Sequence, residues 1–128
     1  MRLTDLRVTV FTGSYAAAGN GAAANDFDIT DALSKYQWVG DVTLHLVVAR
    51  TGGASTLDVV LTASLDGTNY ANLVAFTQID AATGIEMKVI APPGNKALYK
   101  TNIDLGSVST YTVTVYASGK VLGPVLNA

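Results

Sequence analysis

The strongest constraint on this chain is a two-residue alternation of apolar and polar side chains that recurs in five separate segments. Leu6, Val8 and Val10 alternate with Arg7 and Thr9, and Val42, Leu44, Leu46 and Val48 alternate with Thr43, His45 and Val47. Leu57, Val59, Leu61, Ala63 and Leu65 alternate with Asp58, Val60, Thr62 and Ser64. Ile85, Met87 and Val89 flank Glu86 and Lys88, and Tyr111, Val113, Val115 and Ala117 flank Thr112, Thr114 and Tyr116. Successive side chains of a strand point to opposite faces, so this period predicts strands with one face buried. No segment sustains the helical period. Thr and Val are abundant, and the acids are nine Asp against a single Glu, a composition that favours strands over helices.

Turn-forming residues separate the alternating segments. Thr51-Gly52-Gly53 predicts a hairpin between two of the strongest strands, and Asp66-Gly67-Thr68-Asn69 ends the next one. Asp80–Gly84, Pro92–Asn95 and Asp104–Ser109 provide further breaks. Turns at this spacing are those of a sandwich or barrel. Weaker strands are expected near Phe27–Thr30, Tyr70–Gln78 and Ala97–Ile103, and one short helical turn over Asp31–Tyr36, capped by Asp31 or Thr30. The expected fold is all-β, an antiparallel β-sandwich of about eight strands, jelly-roll-like. At 128 residues one domain is expected over 1–128, with its strand core at about 6–117. Gly13–Asn25 holds six alanines and three glycines and reads as a flexible loop or arm. Residues 119–128, with the apolar Val121-Leu122-Gly123-Pro124-Val125-Leu126, read as a tail that is either tucked against the sheet or given to a neighbour, the second being slightly favoured.

Charge excludes some functions. Only 14% of the residues are charged and the net charge is −2, so the basic footprint of a nucleic-acid binder is missing. A surface this poor in charge is weakly protected against association. The chain has no cysteine, which rules out disulfides and thiolate metal sites. No secretory signal is expected, because Met1–Asp5 leads into no apolar core segment. The aliphatic run Leu46–Ala49 is far shorter than the ~20 residues of a spanning helix, so no membrane partner is expected.

Catalytic chemistry has little to work with. His45 is the only histidine and sits on the polar phase of its strand, where a solvent-facing or interface role is expected. One histidine without cysteine supplies no Cys–His pair and no transition-metal cluster. Asp26, Asp28 and Asp31 are close enough to hold calcium, but they lack the glycine and bidentate glutamate of a calcium loop, and turn and cap formation accounts for them. Gly13, Gly19 and Gly21 lack the Lys-Ser/Thr of a phosphate loop. No cofactor is expected. Trp38 and Tyr116 raise the option of sugar stacking, although Trp38 suits a core or rim position equally well. Tyr116 is the better exposed aromatic and suits a protein interface. Tyr15, Tyr116, Val121, Leu122, Val125 and Leu126 are the candidate partner contacts.

Phe27-Asp28-Ile29-Thr30-Asp31-Ala32-Leu33, the strand-and-turn run Thr56–Tyr70 with its Ser64-Leu65-Asp66-Gly67-Thr68, and Phe76-Thr77-Gln78-Ile79 before an Ala-Thr-Gly turn carry a resemblance. Over roughly residues 27–118 the chain resembles small β-sandwich structural proteins of tailed phages, most of all head decoration, or cement, proteins. The resemblance implies a non-enzymatic protein on the phage head surface, made in the host cytoplasm. It further implies a homotrimer whose partner is the major capsid protein. Tail or neck structural proteins are the related alternative, and a carbohydrate-binding or adhesion module is the alternative of another class. No site residue transfers with the resemblance.

Overall fold

The computed structural model describes residues 3–16, 23–29, 33–52, 55–91, 97–105 and 110–122; residues 15–16 and 23–28 are described for their backbone alone. Eight strands follow one another: β1 (Leu3–Ala16), β2 (Ala23–Asp28), β3 (Trp38–Thr51), β4 (Leu57–Ser64), β5 (Ala71–Ala75), β6 (Thr83–Ile90), β7 (Leu98–Leu105) and β8 (Thr110–Leu122). They form two four-stranded antiparallel sheets, ordered β1-β8-β3-β6 and β2-β7-β4-β5. The pairs β1/β8, β2/β7, β3/β6 and β4/β5 are nested. The chain is thus one long hairpin rolled into two layers, the topology of a jelly roll.

The core lies between the layers, where the alternation predicted it. Val42, Leu44, Leu46 and Val48 of β3 and Tyr111, Val113, Val115 and Ala117 of β8 face Leu57, Val59 and Leu61 of β4 and Tyr99, Ile103 and Leu105 of β7. Each Val, Leu or Ile among them, fully buried, contributes about 1.5–3 kcal/mol. Tyr111 is buried with its hydroxyl donating to the Ser55 carbonyl at 2.8 Å, which ties the start of β4 to the opposite sheet. Tyr111→Phe should cost about 0.5–1.5 kcal/mol in denaturant titration; no change would mean that this bond adds nothing net.

Several expectations are corrected. Gly13–Asn25 is not a continuous arm: Gly13–Ala16 continue β1 against Val113–Thr110, and Ala23–Asn25 already pair with β7. Backbone pairing needs no large side chain, so an Ala/Gly composition could not exclude it. Residues 17–22 lie outside the described ones. The tail begins later than expected, since β8 runs to Leu122, whose N–H donates to Gln37 O. Thr51-Gly52 makes no hairpin, because β3 and β4 belong to different sheets. Leu65 is 76% exposed: β4 stops at Ser64, whose Oγ accepts from the Asp66 and Gly67 N–H groups and begins the loop. The Asp66–Asn69 turn does join β4 to β5, with Gly67 at φ +77°. Leu33 and Ser34 are helical, and the proposed cap at Thr30 or Asp31 lies outside the described residues.

The largest correction concerns β6. Its alternating apolar residues Ile85, Met87 and Val89 are 72%, 62% and 63% exposed, while Glu86 and Lys88 occupy the inward phase opposite Leu46 and Leu44. The cause lies in their neighbours. Ile90, of the inward phase, is buried at 4%. Gly84, also inward, leaves room for Ile79, whose Cδ1 would stand 2.8 Å from an added Cβ. A one-residue slip would flip every side chain and eject Ile90. Glu86 is then held at the rim by the Thr77 N–H at 2.7 Å and the Thr77 hydroxyl at 2.8 Å.

Candidate functional site

The outer face of the β1-β8-β3-β6 sheet carries the most distinctive surface among the described residues. Strand register lays its side chains in rows. Met87, His45, Tyr116 and Thr9 form one, Val89, Thr43, Ser118 and Arg7 the next, and Ile85, Val47, Thr114 and Thr12 a third. A concave site of about 540 Å³ is lined by Arg7, Thr43, His45, Met87, Tyr116 and Ser118. The His45 and Tyr116 rings meet at 6.0 Å, tilted by 45°. His45 Nε2 is buried without a hydrogen-bond partner among the described residues, a polar atom that a partner could satisfy.

Toward the Thr12–Ser14 end of β1 the face is hydroxyl-rich. Thr12 and Thr114 share a hydrogen bond at 3.1 Å, and Ser14 and Thr112 one at 3.2 Å. Lys120 meets Asp5 at 2.6 Å at the far end, with both side chains exposed, so the pair adds little stability. Toward β6 the face turns apolar, through Val47 to Ile85, Met87 and Val89. The surface therefore grades from hydroxyl to hydrocarbon, with a single cation, Arg7, on the groove.

The candidate contacts fall in different places. Tyr116 lies on this face, partly buried against His45. Val121 is corrected: it is 2% exposed, opposite Trp38 and Thr4 in the sheet, and has no surface to offer a partner. Leu122 is partly buried at the end of β8. Tyr15 pairs with Tyr111 through its backbone, and its side chain lies outside the described ones, as do Val125, Leu126, Asp31 and the side chains of Asp26 and Asp28. Sequence reasoning missed Ile85, Met87 and Val89 because it assigned them to the core. The buried phase set by Ile90, directly beside Val89, was the signal that could have revealed them.

Trp38 is committed to the fold. Its Nε1–H donates to Leu33 O at 2.9 Å, Tyr36 meets it edge-on at 6.0 Å, and its ring closes over Gly119. A bulge between Val39 and Thr43, with Gly40 at φ +79°, sets this position. Trp38 is accordingly no open platform for a sugar. No group of three or more His, Asp or Glu among the described residues could hold a metal ion, and no described helix is long and apolar enough to cross a membrane.

The acidic groups with displaced pKa values serve loops and edges. Asp66 accepts from the Asn69 and Thr68 N–H groups, the Asn69 amide and the Ser64 hydroxyl, and these bonds hold its carboxyl far below the usual range. Burial raises Glu86, but its two bonds from Thr77 and the Lys88 ammonium outweigh that, and its pKa is lowered. A carboxylate depressed on folding adds stability above its unfolded pKa and loses it as pH falls through the folded one. Stability should therefore hold through neutral pH and fall once pH enters the carboxylate range and below. Urea midpoints measured from pH 7 to pH 3 check this, and Asp66→Asn should flatten the profile. An equal slope in that variant would show that Asp66 is not a source.

No family model matches the chain, and no curated protein matches it. Among solved structures it is similar to two of infectious bursal disease virus. A structure of the Gx strain is matched at 11% identity and a TM-score of 0.47, over 95% of this chain and 32% of that one. A structure of the Gt strain is matched at 12% identity and a TM-score of 0.41, over 94% and 38%. The chain thus spans about a third of the length of the structures it matches.

Proposed function

We propose that this chain is a non-enzymatic structural protein of a virion. In its specific form the reading is a single-domain decoration protein of a phage head, which binds the major capsid protein from outside as a homotrimer and reinforces the shell. The observation that carries it is the outer face of the β1-β8-β3-β6 sheet. Three large apolar side chains stand exposed there beside a groove holding Tyr116, His45 and Arg7. Apolar and aromatic side chains with few charges are the composition of an interface centre. The sequence resemblance to phage decoration proteins and the scarcity of charge support the same reading. A contact of ordinary size buries roughly 1,200–2,000 Å², and repetition over a symmetric shell multiplies its effect.

The test adds the purified protein to heads that lack it. Saturable co-sedimentation and a higher temperature of head rupture are expected. Binding to tails or necks alone would move the protein to that part of the particle. The carbohydrate reading draws on Tyr116 tilted against His45 in the groove; glycan-array binding without particle binding would favour it.

A further inference from the structure

We infer that the free edge of β6 is a self-pairing edge, which joins two copies of this chain across a two-fold axis centred on Met87. Strand β6 ends its sheet, so one side of its backbone has no neighbouring strand among the described residues. The phase of that free side follows from the structure. Arg50 N–H donates to Ala82 O at 2.8 Å, and the β3/β6 register places Val48 opposite Gly84, Leu46 opposite Glu86 and Leu44 opposite Lys88. In an antiparallel ladder every second residue pair exchanges hydrogen bonds. Gly84, Glu86, Lys88 and Ile90 therefore turn their backbone groups to β3, and Ile85, Met87 and Val89 turn theirs outward.

Two copies of this edge fit one another in one favoured register. Antiparallel pairing about Met87 places Met87 opposite its own copy and Ile85 opposite Val89 of the second copy. All three residues present outward N–H and C=O groups, so the ladder is in phase. The same register sets Glu86 opposite Lys88 of the other copy, twice, on the inward face. A slip of two residues one way opposes Glu86 to Glu86, and the other way Lys88 to Lys88. A slip of one residue faces outward groups with groups already spent on β3. Opposite charges across strands stabilise a pair and like charges destabilise it, so the charges select the Met87-centred register. On the outer face Ile85, Met87 and Val89 merge with their copies into one apolar stripe. Such a contact is isologous and closes on itself without propagating into a fibre.

The edge lacks the usual protection against this. Natural edges are blunted by bulges, proline, lysine on the exposed face or short length. β5, the edge of the other sheet, has five residues and a register shift, whereas β6 has eight residues in continuous register with β3. Its inward charges resemble a protective device, but they are complementary in the pair rather than repulsive.

The inference is independent of the particle reading, and its test uses free protein. The chain has no cysteine, so single thiols report register directly. Opposed residues of a hydrogen-bonded antiparallel pair lie ≈ 5.5 Å apart at Cα, within disulfide reach. Met87→Cys under mild oxidation should give a covalent dimer as the main species on a denaturing gel, a band that a trimer formed through another surface leaves unchanged. Ile85→Cys and Val89→Cys should each stay monomeric, since like positions are about 13 Å apart along the strands, and the two mixed should cross-link. In sedimentation, Lys88→Glu should weaken the pair by about tenfold or more, and adding Glu86→Lys should restore it. A Met87→Cys protein that stays monomeric overturns the inference and leaves the edge to a strand of a different chain. Cross-linking of Ile85→Cys with itself as readily as with Val89→Cys overturns the register.

Discussion

Replacing Leu46 by alanine should cost about 2–5 kcal/mol of folding stability, whereas Met87→Ala should change it by less than about 0.5 kcal/mol. In the amino-acid sequence the two residues have the same standing, each an aliphatic position in a period-two strand. In the fold they separate completely: Leu46 has no exposed surface and Met87 has 62%. Truncating Leu46 removes buried hydrocarbon and leaves a cavity between two close-packed sheets, both of which cost energy. Truncating Met87 removes hydrocarbon that water already touches. Equilibrium unfolding of the two variants by urea measures the difference. Equal losses would mean that β6 presents its apolar residues to the core and that the outer face described here is wrong.

Tyr116→Ala should weaken binding to heads by more than about tenfold while leaving the urea midpoint nearly unchanged. Tyr116 stands mid-face on β8, between His45 and Thr9, and lines the groove. A large aromatic of limited rotamer freedom at the centre of a contact is the kind of residue that dominates binding energy, commonly by about 2 kcal/mol or more. Its outward position means that truncation removes little from the core. Val121→Ala should behave in the opposite way, since Val121 is buried, and should lower stability without a specific effect on binding. If Tyr116→Ala binds heads like the parent protein, this face is not the contact.

Most of the core was legible in the sequence because alternation and burial coincide in β3, β4 and β8. In each of these strands the larger apolar residues concentrate on one phase, with only Val47 of β3, Val60 of β4 and Tyr116 of β8 standing among the polar residues of the other mid-strand phase, and a dominant phase can be read without knowing the partner strand. In β6 the two phases compete. Ile85, Met87 and Val89 outnumber Ile90, yet Gly84 and Ile90 fix the strand, because Ile79 fills the space left by the glycine. That contact joins residues of separate elements, which no local pattern reports. The Ala/Gly segment misled for a related reason. β1 and β2 are held there by backbone pairing with β8 and β7, and a ladder leaves no mark in side-chain hydrophobicity. The Thr51-Gly52 turn was legible as a turn but not as a crossing between layers, since turn chemistry is the same for both. Of the candidate site, Tyr116 and His45 were legible, each on the polar phase of a strong strand. Arg7, Thr43 and Ser118 join them through the register of three strands distant in sequence.

Methionine oxidation reports whether the β1-β8-β3-β6 face is covered on the particle. The chain has two methionines, Met1 and Met87, and conversion of an accessible thioether to sulfoxide is read by mass spectrometry. Free protein and protein bound to heads are treated with the same dose of peroxide, and the rate at Met87 is compared. Exposed on the outer face, Met87 should oxidise readily in the free protein and at least several-fold more slowly on the particle. Equal rates in the two states would mean that the β1-β8-β3-β6 face stays open to solvent while the protein is bound, and that it is not the contact.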